Sequence, residues 1–75
     1  MNETLDLEGC KNLKSLPNGL KVEGDLDLRD TNITSLPSDL EVGGDLALYR
    51  TPIANRYTKE QIREMIPSVE GGIYL

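Results

Sequence analysis

The chain has 75 residues, a length that fits one small domain and leaves no room for a second. It carries 13 acidic and 8 basic side chains, and the net charge of −5 argues against contact with a nucleic-acid backbone or an anionic membrane. No apolar stretch is long enough to cross a membrane, and the first residues lack a secretion signal. We therefore expect one cytoplasmic domain over residues 1–75.

A repeat with a period of about 20 residues organises residues 5–53. Each unit begins with two leucines separated by one residue, namely Leu5 and Leu7, Leu26 and Leu28, and Leu46 and Leu48. The match continues through a Leu-Pro step and a Gly-Asp step, at Leu16-Pro17 and Leu36-Pro37, and at Gly24-Asp25 and Gly44-Asp45. Such a period is typical of chains in which each unit buries its apolar edge against its neighbours.

The spacing of the leucines predicts short strands with one buried face. In a strand, residues separated by one position point to the same side, so both leucines of a unit can face a core. The predicted core leucines are Leu7, Leu26, Leu28, Leu36, Leu46 and Leu48. We expect Gly19, Gly24 and Gly44 at corners where φ can be positive. A meander of β-hairpins is the competing arrangement, and the regular period disfavours it.

The pattern Leu26-x-Leu28-x-x-Thr31-x-Ile33-x-x-Leu36-Pro37 resembles a bacterial leucine-rich repeat. The resemblance covers residues 5–53 and implies a solenoid. Cys10, Thr31 and Thr51 stand where that family more often has asparagine, and the resemblance places these side chains inward. The segment that follows each Leu-Pro step looks like the short repeats of bacterial effectors and of small phage or prophage proteins.

Residues 54–75 depart from the repeat and are predicted to cap its open end. A capping box at Thr58 and Gln61 begins a short helix that stops at Pro67. The apolar face of this helix is formed by Ile62, Met65 and Ile66. Residues 71–75 are predicted to form a turn and a strand beside the third repeat. The predicted fold is therefore α+β, a short leucine-rich-repeat-like β-solenoid of about three turns with a C-terminal capping helix and a final strand.

Residues with catalytic or metal-binding chemistry are scarce. The chain has no histidine, and Cys10 is expected to be a core thiol because the repeat turns its position inward. Asp25 and Asp27 have the separation of a hydrolytic carboxylate pair, but no apolar pocket or aromatic residues to bind a sugar accompany them. We interpret them as solvated carboxylates that can be replaced without loss of the fold, and we predict no enzyme activity, no cofactor and no metal site.

The charge imbalance is concentrated on the side chains that point outward from the predicted strands. Twelve outward positions hold seven acidic and two basic residues, whereas the other 63 positions hold six of each sign. Tyrosine and arginine, which are enriched in binding hot spots, occur at the far end of this face. The predicted partner-binding residues are Asp6, Glu8, Asp25, Asp27, Arg29, Asp30, Asp45, Tyr49 and Arg50. The other outward positions are Glu3, Thr4 and Ala47.

These features favour a non-enzymatic module that presents an acidic face to a protein partner with a basic surface, without direct contact to nucleic acid or membrane. The resemblance to phage proteins implies an inhibitor of a host defence or nucleic-acid enzyme, anti-CRISPR-like in acting as an acidic mimic of DNA. The alternative is a structural protein that forms a homodimer through its first strand or through Tyr74 and Leu75.

Overall fold

Six strands of two residues each and two short helices make up the fold in the computed structural model, which describes residues 4–75. The strands are β1 (Leu5–Asp6), β2 (Lys21–Val22), β3 (Leu26–Asp27), β4 (Glu41–Val42), β5 (Leu46–Ala47) and β6 (Ile73–Tyr74). Between β5 and β6 lie helices α1 (Pro52–Arg56) and α2 (Lys59–Met65). Every strand pair within residues 4–75 is parallel, which excludes the competing meander of hairpins.

The larger sheet has four strands in the order β1-β3-β5-β6. Its register aligns the first leucine of each unit, so that Leu5, Leu26 and Leu46 lie side by side with Ile73 of the last strand. Backbone hydrogen bonds extend this ladder beyond the two-residue strands, for example where the Leu28 N–H donates to the Ala47 carbonyl at 2.9 Å. The sequence period therefore fixes the register of the sheet.

A second sheet lies on the opposite side of the core and pairs β2 with β4. Val22 and Val42 are partners in its register, and both side chains are buried. A single parallel bridge from Val42 to Val69 continues this layer into the C-terminal segment. The core is thus enclosed between the two sheets, with residues from the last part of the chain added to each.

The prediction of a three-turn leucine-rich-repeat-like β-solenoid is wrong. The structure is a small α+β fold with two parallel sheets of four and two strands and with two helices. Strand β6 and the bridge at Val69 both come from the non-repeating segment, so this segment completes the two layers rather than only covering an end. The physical reason is that a repeat period specifies the register of neighbouring strands, whereas the fold class also depends on the non-repeating third of the chain.

The core is aliphatic, as the absence of phenylalanine and tryptophan from the sequence requires. Leu26, Leu28, Leu46 and Leu48 are fully buried, which confirms four of the predicted core leucines. They pack with buried side chains from the loops and helices, including Ile33, Leu40, Ile53, Ile62, Ile66 and Ile73. Leu7 and Leu36, also predicted to be core residues, are only partly buried. Leu7 belongs to the turn of β1, the edge strand of the larger sheet, and has neighbouring units on one side only.

The three small side chains expected to point inward divide into two groups. Thr31 and Thr51 are buried, and their hydroxyls donate to the carbonyls of Leu28 and Leu48 at 2.8 and 2.7 Å. Cys10 is exposed, so the prediction of a core thiol is wrong. Cys10 follows the edge strand, where fewer neighbours cover it, and its turn is one residue longer than the turn at Thr31.

The C-terminal helix and final strand are confirmed. In α2, the Thr58 hydroxyl accepts from the Gln61 N–H at 3.2 Å, and the Gln61 side chain accepts from the Thr58 N–H at 2.8 Å. Ile62 and Ile66 are buried, but Met65, placed on the same apolar face by the sequence, is exposed. Helix α1, with Thr51 as its N-cap and proline in its first turn, was not predicted. Neither helix within residues 4–75 has the length and apolar character needed to span a membrane.

Glycines in the connections permit close contact between neighbouring turns. A Cβ atom on Gly43 would lie 2.3 Å from the carbonyl oxygen of Glu23, which is a backbone atom that cannot move aside alone. Of the three glycines expected to have positive φ, only Gly19 does, and Gly9 adopts this conformation as well. Gly43 and Gly44, at the corner before β5, therefore serve close approach rather than left-handed backbone.

Replacing Leu28 with alanine should lower the free energy of unfolding by about 2–5 kcal/mol, because it leaves a cavity in a fully buried site. This loss is comparable with the total stability of a domain of this size. Thermal unfolding followed by circular dichroism measures it. Leu75→Ala, at an exposed leucine, is the control and should have little effect. An unchanged melting temperature for Leu28→Ala would contradict the packing described above.

Replacing Gly43 with alanine should destabilise the protein by about 1–3 kcal/mol, because the new methyl group requires the backbones of two turns to separate. The matched control is Gly72→Ala, where the added Cβ would meet only the end of the Tyr74 side chain, 3.1 Å from its hydroxyl. Urea unfolding of both variants checks this difference. Equal stability of the two variants would contradict the close approach at Gly43.

Candidate functional site

The outward side of the four-stranded sheet carries the residues that the sequence analysis singled out. We call this surface the strand face and define it by Asp6, Glu8, Asp25, Asp27, Arg29, Asp30, Asp45, Ala47, Tyr49, Arg50 and Tyr74. None of these side chains is buried. The register places Asp6, Asp27, Ala47 and Tyr74 in one row across the four strands. Glu3 and its contribution to this face lie outside the described residues.

Arg29 is held between carboxylates of its own turn and the preceding one. Its Nε and Nη2 atoms donate to the two carboxylate oxygens of Asp27 at 2.9 and 2.8 Å, and Nη2 also donates to Glu8 at 3.1 Å. The hydrogen bond from Arg29 holds the pKa of Asp27 below its usual range, and the same bond raises the pKa of Arg29. This ion pair was not predicted, although side chains two residues apart lie on the same face of a strand.

Arg50 is also paired, in this case with Asp30 of the neighbouring turn. The guanidinium donates from Nε and Nη2 to both carboxylate oxygens of Asp30. Both residues have φ near 60° (Asp30 60°, Arg50 58°), so the chain turns in the left-handed region at the same point of successive turns. The hydrogen bond from Arg50 lowers the pKa of Asp30. Arg50 was predicted as a hot spot for a partner, but its guanidinium forms an ion pair within the protein.

Asp25 and Asp45 use their carboxylates to bind the backbone of the next turn. Asp25 accepts from the N–H of Asp45 at 2.8 Å, and Asp45 accepts from the N–H of Gly72 at 2.7 Å. A Cβ atom on Gly44 would lie 2.1 Å from the Asp25 carboxylate, which explains glycine at that corner. Asp25 was interpreted as a solvated carboxylate, but it also has a structural contact, because its removal would leave the N–H of Asp45 without this acceptor.

Two tyrosines form the far end of the strand face. The rings of Tyr49 and Tyr74 stack with their centroids 6.3 Å apart and their planes at 21°. They are 39% and 41% exposed, and both are among the large hydrophobic residues that the structure leaves at the surface. Tyr74 was not among the predicted partner-binding residues, although its alternation with buried Ile73 in the final strand indicates an outward position.

A shallow open groove of about 250 Å³ runs beside the tyrosines. We call it the tyrosine groove, and its lining includes Asp25, Asp27, Arg29, Asp45, Ala47, Tyr49 and Tyr74. At this position in the register β1 and β3 have aspartate, whereas β5 has Ala47. Only a methyl group therefore fills the space between Asp27 and Tyr74. The groove exists because the repeat changes from aspartate to alanine at this point.

The charge of the strand face is uneven. Six carboxylates and two guanidinium groups among the nine predicted residues give a net charge of −4. The ion pairs orient these groups but do not remove the net charge, so its field still extends into solvent over about a Debye length of 10 Å. Asp6 and Glu8 are exposed at the β1 edge, whereas alanine and tyrosines occupy the opposite end. The face therefore changes from acidic to aromatic across the sheet.

The carboxylates of the strand face bind arginine side chains and backbone amides. Oxygen atoms of Asp6, Glu8 and Asp27 lie within 4.8 Å of one another, a spacing that a metal ion can bridge. Arg29 already contacts Glu8 and Asp27, however, and supplies the positive charge at that point. The lowered pKa of Asp27 keeps it ionised near neutral pH and makes it a poor general acid.

Comparison of the chain with protein families, with characterised proteins and with solved structures gives no match. The resemblance to bacterial leucine-rich repeats therefore stays a prediction that rests on the repeat residues themselves.

Asp27→Asn should remove part of the acid sensitivity of the protein. Because the folded-state pKa of Asp27 lies below its unfolded value, its pairing with Arg29 adds stability above that unfolded pKa, and this stability is lost as the pH falls through the folded-state value. The wild type should thus exceed the variant in stability at neutral pH and approach it below about pH 4. Urea unfolding across this range measures the difference, with Glu64→Gln on α2 as the control. A difference that does not change with pH would contradict the assigned pairing.

Proposed function

We propose that the protein is a non-enzymatic binding module whose strand face docks onto a basic surface of a protein partner. The observation that carries this proposal is the combination, on one outward sheet surface, of a net charge of −4 and a stacked pair of exposed tyrosines. Charge attracts and orients a basic partner over a distance, and the aromatic side chains supply contact area at short range.

The strand face is well suited to binding because many of its side chains are already fixed. Arg29 is held by two carboxylates, and the carboxylates of Asp25 and Asp45 are held by backbone N–H groups. Side chains that are ordered before binding lose less conformational entropy when a complex forms. Their positions on adjacent strands of one sheet also keep the spacing of the charges constant.

A nucleic-acid enzyme is the class of partner that fits this face best. Grooves that bind the phosphate backbone are lined with lysine and arginine, and they attract a protein surface with a row of carboxylates by the same long-range field. The resemblance to small phage proteins points in the same direction, towards an inhibitor that occupies such a groove in a host defence enzyme. In this proposal the carboxylates of the strand face take the place of the phosphate groups of a nucleic acid.

Homodimer formation is the second candidate. Leu5, Leu7, Leu13 and Leu20, all in the first unit, are only partly buried. A second copy that packs against this end would cover them, but pairing of two β1 edges in the antiparallel sense brings the acidic rows of both copies together. Light scattering after size exclusion distinguishes a dimer from a monomer that binds other proteins.

Affinity capture with charge-matched variants tests the proposed function. Asp6→Asn with Glu8→Gln removes two negative charges from the strand face and keeps the shape of both side chains. Glu60→Gln with Glu64→Gln removes two charges from exposed positions on α2 and is the control. We expect the first variant to lose the proteins that the wild type captures from a bacterial lysate at low salt, and the control to keep them.

Double-stranded DNA should compete for the captured partner if its basic surface is a nucleic-acid groove. Raising the salt concentration should release the partner from the wild type, because exposed charges are screened. Equal capture by both double variants, independent of salt, would contradict a role for the acidic part of the strand face.

A further inference from the structure

The tyrosine groove combines a negative charge with an aromatic wall at one point of the strand face. Its lining includes the carboxylates of Asp25, Asp27 and Asp45 and the guanidinium of Arg29. Three carboxylates against one guanidinium give the lining a net charge of −2. This composition favours a cationic group over an anionic or a purely apolar one.

We propose that the tyrosine groove is the anchoring pocket for one arginine side chain of the partner. The proposal rests on the proposed function, since it names the group that the strand face recognises. The bound guanidinium would lie over the Ala47 methyl group, against the tyrosine rings, with carboxylate oxygens on the opposite side.

Free hydrogen-bond acceptors support a cationic occupant. Asp25 and Asp45 each use one carboxylate oxygen, Oδ1, to accept from a backbone N–H. Within residues 4–75 the structure shows no donor to the Oδ2 atom of either residue. Two anchored carboxylates thus keep an acceptor available, and a charged donor is the strongest partner for such a group. Both Asp27 oxygens and Arg29 are already occupied with each other.

The aromatic wall favours arginine over lysine. A guanidinium is planar and weakly hydrated, so it can stack on a tyrosine ring and also donate several hydrogen bonds in its plane. Tyr49 and Tyr74 are stacked on each other, and this contact limits the freedom of both rings before a ligand binds. A lysine ammonium is more strongly hydrated and donates from a single point, so it gains less from the same groove.

The space for the side chain depends on Ala47. In the same row across the sheet, β1 has Asp6, β3 has Asp27 and β6 has Tyr74. Only at Ala47 is the row interrupted by a small residue. A longer neutral side chain at position 47 would occupy the groove without changing its net charge.

Titration of the ¹⁵N-labelled chain with a peptide of alternating glycine and arginine tests the pocket. We expect saturable shifts of the Asp45, Ala47, Tyr49 and Tyr74 amide signals. The same peptide with citrulline, which replaces the guanidinium by a neutral urea group, should produce much smaller shifts, and the lysine peptide should bind more weakly than the arginine peptide. Equal shifts with arginine and citrulline, or shifts confined to Asp6 and Glu8, would overturn the pocket.

Three variants of the groove separate its shape from its rings. Ala47→Gln should abolish the localised shifts, because it fills the groove. Tyr49→Ala with Tyr74→Ala should weaken binding about fivefold or more, the loss expected for two exposed cation–π contacts. Tyr49→Phe with Tyr74→Phe keeps the rings and should bind nearly as well as the wild type. Met65→Ala removes an exposed apolar side chain on α2 and is the control. Unchanged binding by folded Ala47→Gln would overturn the proposal.

The two proposals fail in different ways. If charge removal at Asp6 and Glu8 abolishes capture of the partner but Ala47→Gln does not affect it, the strand face binds without the pocket. If the arginine peptide binds in the tyrosine groove but all variants capture the same proteins as the wild type, the pocket exists and the proposed function is wrong.

Discussion

The second half of the larger sheet depends on carboxylates that bind the backbone just before β5 and β6. The strands of the larger sheet are two residues long, and backbone hydrogen bonds on either side of them extend the ladder. The bonds from the N–H groups of Asp45 and Gly72 to the carboxylates of Asp25 and Asp45 join each turn to the next just before the strand begins. They hold the register in which the leucines meet, and they require glycine at the adjacent corner. The same carboxylates then become part of the outward surface.

Structural and binding roles are consequently mixed on the strand face. Of its acidic residues, Asp25 and Asp45 support the sheet, while Asp27 and Asp30 orient arginines. Asp6 and Glu8 lie at the edge, where Asp6 accepts from the nearby Glu8 N–H and Glu8 shares Arg29 with Asp27. A face in which most charges have an internal partner keeps its shape and still carries a net negative field. Binding and folding therefore draw on one set of residues.

Local rules predicted much of this structure, and long-range contacts account for the rest. The period of the leucines predicted the buried side chains of β3 and β5, and the capping box predicted α2, because both patterns act over a few residues. The fold class was wrong because the repeat specifies the register of neighbouring strands but not long-range contacts such as the bridge from Val42 to Val69. Cys10 was misplaced because the pattern does not show how many neighbours cover a turn. The repeat places Asp30 and Arg50 at equivalent positions of successive units, 20 residues apart, but it does not show that their side chains form an ion pair.

The two ends of the larger sheet differ in how well their side chains are buried, and this difference affects local unfolding. Helices α1 and α2 and strand β6 follow the third unit and contribute buried side chains to the core, whereas the leucines of the first unit are only partly buried. We therefore expect local unfolding with the lowest free energy to begin at the β1 turn, and amide protection against hydrogen exchange to rise along the sheet towards the helices. The acidic end of the strand face thus lies on the part that opens most readily, and the tyrosines on the part that opens last.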